Sequence, residues 1–327
     1  MSGAFWLIWP RSRAILGLVS GLLLAAGCSA PAPEKTAAPP AAPLPPGFGA
    51  YWFQGKAELT SYDLQQARYG ELHQGQAVLI FVTEDLSRQK QVKLDRPDAA
   101  PAGDRVPVLK LNFDKKFTTG IYPYSVLTST FTPLNAATDP HSLKVSASVQ
   151  EWCGHVFTQL NRRAEGYAVS QKSYFESEGD QETTLPLTLL EDEIWSRIRL
   201  NPNALPTGPL RLLPGVVHSR LQHQPLAVRE ATATLGAAPA ARRFGSRGPV
   251  RAYTLTYPAP AARTLAIYFE QNFPHRILGW DETYLDRAGA RPGRQLTTRA
   301  TRRRTLQLDY WRTHLNEHRN WRDSLEH

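Results

Sequence analysis

Cysteine is almost missing from this chain, with two in 327 residues, Cys28 and Cys153. Two thiols cannot build a disulfide framework, so the fold has to rest on a hydrophobic core even in an oxidising compartment. Long apolar runs are also lacking. The most apolar stretch, Ala14 to Ala26, has 13 residues. As a helix it would cover about 20 Å, short of a hydrocarbon core of about 30 Å, so a helical membrane span is not indicated. Enzyme signatures are absent too: the sequence contains no G-x-x-x-x-G-K-[ST], G-x-S-x-G, H-E-x-x-H or paired-cysteine spacing. Common nucleotide-binding, serine-hydrolase and zinc-site readings therefore lose their footing. No repeat period and no strand–helix alternation of the dinucleotide-binding kind is readable, and no cofactor is expected.

At the N-terminus, Arg11 and Arg13 precede the apolar run, which ends in Leu24-Ala25-Ala26-Gly27-Cys28. Length and flanks fit a signal-peptide hydrophobic region. The ending resembles the bacterial lipobox, in which small residues precede a cysteine that receives diacylglycerol and becomes the acylated N-terminus. Residues 1–27 are thus expected to be a lipoprotein signal peptide and Cys28 the lipidation site. Seven prolines follow between Pro31 and Pro46. Such a segment favours extended polyproline II, about 3.1 Å per residue, so residues 28–50 read as a semi-rigid spacer. The address that follows is the cell envelope, lipid-anchored, with Ser29 after the cysteine resembling outer-membrane sorting.

Formal charge is +9. From Arg287 onward there are ten arginines against Asp309, Glu317, Asp323 and Glu326. Residues 287–327 therefore read as a basic tail. An exported lipoprotein meets anionic phospholipid or lipopolysaccharide, not nucleic acid, and each surface cation gains about 1 kcal/mol near such lipid. Arg302, Arg303, Arg304 and Trp311 are the candidate membrane-surface residues. The spacing of Leu308, Trp311 and Leu315 predicts an amphipathic helix over Leu306 to Leu325, either an appendage lying on lipid or a partner, or a segment packed back on the body.

Between these ends, residues 51–286 show a hydrophobic period of mostly two, enriched in β-branched and aromatic residues. Strands are predicted at Ala57–Leu64, Gln76–Thr83, Val106–Phe113, Tyr122–Phe131, Leu143–Trp152, His155–Asn161 and Tyr167–Phe175. Further strands are predicted at Leu210–Leu213, Val216–Gln222, Leu226–Leu235, Arg251–Tyr257, Thr264–Phe269 and Arg276–Trp280. One helix is predicted within Leu187 to Leu200, where Leu190, Ile194 and Ile198 share a stripe before Asn201-Pro202. The fold class is mainly β: an antiparallel sandwich or a curled half-barrel with one or two short helices.

The stretch Gln150-Glu151-Trp152-Cys153-Gly154-His155-Val156 sets a thiol beside an imidazole. In an extended strand, Glu151, Cys153 and His155 would share one face. A catalytic reading has His155 draw the proton from Cys153; a metal reading offers at most three ligands. The preferred reading is a packed strand with Cys153 buried and Gly154 at a bulge or close backbone approach. Glu176, Glu178, Asp180 and Glu182 alternate along a loop and are the candidate calcium ligands, with a solvated acidic face preferred.

From Tyr51 to Trp280 the chain resembles a group of uncharacterised bacterial envelope lipoproteins. The resemblance is carried by FVTED, VPVLKLNF, TGIYPYS, KVSASVQEWCGHVF, SYFESEGDQE and RILGWDE. Some of that group bear the name of the septum-formation inhibitor Maf, a cytosolic nucleotide pyrophosphatase. Its serine–arginine-rich N-terminal loop and α/β core are not readable here, and no Maf residue is carried over. In architecture the body also looks like the curled half-barrels of lipoprotein carriers, which implies an apolar interior able to shelter a ligand. The function expected is a non-catalytic envelope lipoprotein binding a hydrophobic or anionic envelope component or a partner protein. Alternatives are an envelope enzyme using Cys153 with His155, and a scaffold without a small-molecule site.

Overall fold

The computed structural model describes residues 44–238, 243–286 and 294–326. The expected signal segment, Cys28 and residues 29–43 of the expected spacer lie outside the described residues.

Strand-forming alternation runs through nearly the whole body. In β4 (Tyr122–Pro133), Tyr124, Val126, Thr128 and Thr130 are buried while their neighbours are more exposed. The same period buries Val145, Ala147 and Val149 of β5 (Lys144–Glu151) and Val156, Thr158 and Leu160 of β6 (Gly154–Arg163). Side chains of successive strand residues point to opposite faces, so these residues line one surface of a sheet. The other strands are β1 (Ala57–Arg68), β2 (Glu71–Ser87), β3 (Arg105–Thr119), β7 (Gly166–Ser173), β8 (Gln181–Leu185) and β9 (Leu189–Leu190). They continue with β10 (Gly208–Leu213), β11 (Arg229–Ala237), β12 (Val250–Tyr257), β13 (Arg263–Glu270), β14 (Ile277–Asp286) and β15 (Arg294–Leu308).

All fifteen belong to one sheet, in the order β8-β7-β6-β5-β4-β3-β2-β1-β15-β14-β13-β12-β11-β10-β9. Neighbours are antiparallel except β9 and β10, which are parallel. Flat, the edge strands β8 and β9 would stand about 67 Å apart at 4.8 Å per strand. Yet Leu185 and Leu189 are joined by three residues, Pro186–Thr188, a span of at most about 15 Å. The sheet must therefore curl until its edges approach. No ladder joins β8 to β9, so the curl stays open. The protein is mainly β, a curled unclosed sheet and not a two-sheet sandwich.

Four short helices complete the described structure: α1 (Phe48–Trp52), α2 (Glu191–Leu200), α3 (Val216–Leu221) and α4 (Asn320–Glu326). The predicted helix within Leu187–Leu200 is α2, with Glu191, Asp192 and Glu193 in its first turn and Arg197 and Arg199 in its last. That arrangement complements the helix dipole. Inside the curl, Ile194, Trp195 and Ile198 join Tyr62, Leu64, Phe81, Tyr253 and Trp280 in the larger core. Val216, Val217 and Leu221 of α3 join Tyr124, Val126, Val145 and Tyr167 in a second one. The interior is thus filled by the protein's own helices.

Four expectations need correction. Val216–Gln222, predicted as a strand, is mostly α3: its apolar pair Val216-Val217 and Leu221 suit one helical face as well as an alternating strand, and short apolar runs do not distinguish the two. The body begins at Phe48, within the expected 28–50 spacer, because Phe48 and Trp52 bury into the main core. The boundary at residue 287 does not separate a tail from a domain. β15 sits at the middle of the sheet, paired with β1 from Ala57↔Leu308 to Gln65↔Arg299 and with β14 from Gly279↔Thr301 to Asp286↔Arg294. The predicted helix over Leu306–Leu325 is the end of β15, two 3₁₀ turns and α4. This segment packs on the outer face of the sheet, where Leu325, Leu308 and Tyr310 cover Ala57, Leu59 and Val82.

Candidate functional site

The thiol–imidazole stretch folds as a tight hairpin. Glu151 ends β5 opposite Gly154 at the start of β6, leaving Trp152 and Cys153 as the two turn residues. The single face proposed for Glu151, Cys153 and His155 therefore does not form, because the chain reverses between them. Cys153 is exposed, not buried. Its backbone N–H donates to Glu151 Oε2 at 2.6 Å. The thiol is held above its ordinary pKa, first by hydrogen bonding to the Glu151 carboxylate and then by that group's charge. Such a shift suppresses thiolate, the opposite of nucleophile activation. His155 pairs its Nε2 with Ser148 Oγ at 2.8 Å instead. The close approach expected at Gly154 is present: a Cβ there would lie 2.6 Å from the Tyr174 ring.

Hairpin tips β1–β2, β3–β4, β5–β6 and β7–β8 all fall at one end of the curl, since the meander is antiparallel throughout. Among the described residues the three most exposed large apolar side chains are Ile121, Tyr174 and Trp152, at 81%, 72% and 69%. Each stands on one of these tips, and exposed Leu72 stands beside a fourth. Trp152 stacks on Tyr122 at 6.2 Å between ring centroids. Adjacent tips are about 10 Å apart at two strand spacings each.

The acidic loop lies at the same end. Glu178 does not join its neighbours around an ion. Its Oε1 accepts from Arg220 Nη1 at 3.0 Å and lies 2.8 Å from His223 Nδ1, and Ser173 Oγ donates to Oε2 at 2.8 Å. Asp180 and Glu182 both pair with Lys172. Among the described residues no group of three or more His, Cys, Asp or Glu is placed to hold a metal ion. The tail arginines are likewise tied into the sheet: Arg302 pairs with Glu270 at 3.7 Å and Arg303 with Asp63 at 2.5 Å, while Arg304 stands opposite Ser61 of β1. Trp311 is exposed in a 3₁₀ turn.

A charged cluster that no motif in the sequence marks lies inside the curl. Arg263 of β13 donates from Nη1 and Nη2 to both oxygens of Glu191, each at 2.6 Å, and from Nε to Glu282 Oε1 at 2.7 Å. Tyr257 donates to Glu191 Oε2, and His218 of α3 pairs with Glu282 at 2.8 Å. Asp192 accepts from the Val216 N–H at 3.0 Å, joining α2 to α3. Gly215 packs closely on this pair: a Cβ there would lie 2.7 Å from Glu191 Oε1 and would have to displace that carboxylate. Burial, then the Glu191 charge, pushes the Asp192 carboxyl up to about 7. Burial pushes the Lys115 ammonium and the His218 imidazole down. For Glu282 burial works the other way, but Arg263 and His218 hold its carboxyl below the usual range. The space they share with Trp195 and Trp280 is about 50 Å³. A water needs about 10–15 Å³ of such volume, so a few waters fit and an acyl chain does not. The residues come from β3, β12, β13, β14, α2 and α3, which is why no spacing in the sequence announced them.

Neither a known family model nor any curated protein matches this chain. Among solved structures, it is similar to a crystal structure of a beta-barrel-like protein of the domain of unknown function DUF1849 from Brucella abortus. The identity is 10%, the TM-score 0.44, and the match covers 77% of this chain and 97% of that one.

Proposed function

We propose that this protein is a non-catalytic lipoprotein of the cell envelope, lipidated at Cys28 after removal of residues 1–27, which binds a partner protein through the hairpin-tip end of its curled sheet. The observation that carries this reading is the row of exposed apolar side chains, Leu72, Ile121, Trp152 and Tyr174, on four successive tips. Large apolar residues gathered on one rim mark an interaction surface more than single ones scattered elsewhere. Tyr and Trp are favoured there because they bring large contact area and a polar handle. Interior sheltering of an acyl chain finds less support, since α2 and α3 occupy the curl. The enzyme alternative needs Cys153 and His155 to cooperate, and each is engaged with a different neighbour.

The chain enters the body at α1, against Phe273 and therefore at the end away from the tips. A tether there leaves the row free to face a partner. Photo-reactive residues placed at Ile121 and Trp152 in living cells should give a protein adduct that a control at Asp98, on the opposite end, does not. Equal labelling from all three positions, or none, sinks the reading. Cys28→Ala should abolish acyl labelling and release the protein from membranes; unchanged fractionation would remove the anchor from the account.

A further inference from the structure

At the seam where β8 approaches α3 lies a cavity of about 270 Å³. Its walls divide by chemistry. Val169, Leu185, Val216 and Leu226 supply an apolar side, and Gln171, Gln181 and Ser219 a polar one. Arg220 also lines it, with its side chain only 7% exposed. Of the Arg220 donors, those on Nη1 reach Glu178, while the buried Nε has no partner among the described residues. Phe175 lies against the guanidinium at 4.3 Å from the ring centroid. A buried cation with unfilled donors is costly, and native proteins seldom leave such groups without an acceptor. Glu178 also lines the cavity, contributed by the β7–β8 loop, which turns at Gly179 with φ +60°.

We propose that this cavity is a binding site for a small molecule bearing a carboxylate or phosphate, with the anion on Arg220 and a short apolar part against Val169, Leu185, Val216 and Leu226. Arg suits this role through its forked, weakly hydrated guanidinium. Glu178 holds the same guanidinium when the site is empty and competes with the incoming anion. The volume is just below the range of about 300–1,000 Å³ typical for drug-sized ligands, so the occupant is of metabolite size. The inference is distinct from the partner-binding reading, because its ligand sits in the seam cavity and not on the exposed Leu72, Ile121, Trp152 and Tyr174, although Phe175 and Glu178 reach Arg220 from the β7–β8 tip.

The test is calorimetric titration of the full chain in lipid nanodiscs with hexanoate, hexyl phosphate and hexan-1-ol, using empty nanodiscs as the blank. At least one anion should saturate a single site, and which of the two does so separates a carboxylate from a phosphate source; the alcohol should not bind. Arg220→Gln should weaken binding at least tenfold, and Glu178→Gln should tighten it several-fold. Should Arg220→Gln fail to fold, Leu226→Trp, which fills the apolar side, should abolish binding in its place. No saturation by either anion, equal binding of the alcohol, tight binding retained in Leu226→Trp, or insensitivity to Glu178→Gln would overturn the proposal.

Discussion

Cys153 illustrates how one residue's neighbours decide its chemistry. Exposure makes it reachable, while Glu151 makes it a poor nucleophile at neutral pH by opposing ionisation. Alkylation of the native protein should therefore be slow at pH 7 and speed up as pH rises, and Glu151→Gln should accelerate it at pH 8. Mass-spectrometric labelling rates decide the point; identical rates in the two proteins would remove Glu151 from the explanation. Asp192 gives a residue-scale pH prediction with the opposite sign from most carboxylates. Its folded-state pKa of about 7 lies above the ordinary 3.8. A carboxyl raised on folding favours the folded state when protonated. Its contribution is complete below about pH 4 and is lost as pH rises towards 7. Asp192→Asn keeps an acceptor for the Val216 N–H and should raise stability at pH 8 by about 1 kcal/mol, some 2–4 °C in Tm. At pH 4 the gain should vanish. A gain that does not change with pH would contradict the assignment. Asp139 behaves in the ordinary way: burial opposes ionisation, but Arg88 and Arg162 hold its pKa at about 2. The stability it supplies is present above about pH 4 and fades as pH falls towards 2.

At the scale of elements, α2 shows what local pattern conveys and what it conceals. Its helical stripe, its acidic first turn and its stop before Pro202 were all readable. Its charged residues give no local sign of burial, yet Glu191, Glu193 and Arg199 are buried because α2 lies inside the curl. Each finds a partner remote in sequence. Arg199 meets Glu58 at 2.5 and 2.7 Å, both side chains 1% exposed, with Trp52 and Phe81 on its faces. Glu193 meets Arg197, His141 and the Ser142 N–H. Removing one partner of a buried pair costs about 3–5 kcal/mol, since a charge is left unsatisfied. Glu58→Gln should lose that much in denaturant unfolding, and Glu58→Leu/Arg199→Leu should lose less than Glu58→Leu alone. A double variant as damaged as the sum of its parts would show no coupling. The sequence conceals β15 for a related reason. Its outward arginines masked the period, although Thr297, Thr298, Thr301 and Thr305 carried a β-branched signal. Two of them complete cross-strand hydroxyl contacts, Thr297 with Thr283 at 2.8 Å and Thr305 with Thr60 at 3.0 Å.

For the molecule as a whole, the first and last strands hold the two meanders together. A chain ending at Asp286 would lose β15 and split the sheet at its centre, leaving β1 and β14 with unpaired ladders. Such a truncation should yield no folded protein, as judged by loss of the cooperative thermal transition. Ending the chain at Leu308 removes only the outer cover of Ala57, Leu59 and Val82 and should leave a folded, less stable body. Survival of the Asp286 truncation with its transition intact would contradict the central place of β15.

For most strands, β15 apart, which segment extends and which of its faces is apolar was decided by the sequence itself, because period two records burial strand by strand without reference to any partner. It also set the expectation of an exported, lipid-tethered chain through residues whose chemistry is local. Strand order, the curling of the sheet around α2 and α3, the hairpin that parts Cys153 from His155, and the convergence of Arg263, Glu191, Glu282 and His218 were decided only in three dimensions. Those features depend on contacts between residues up to hundreds of positions apart, and no spacing along the chain encodes which distant strand a buried charge will meet.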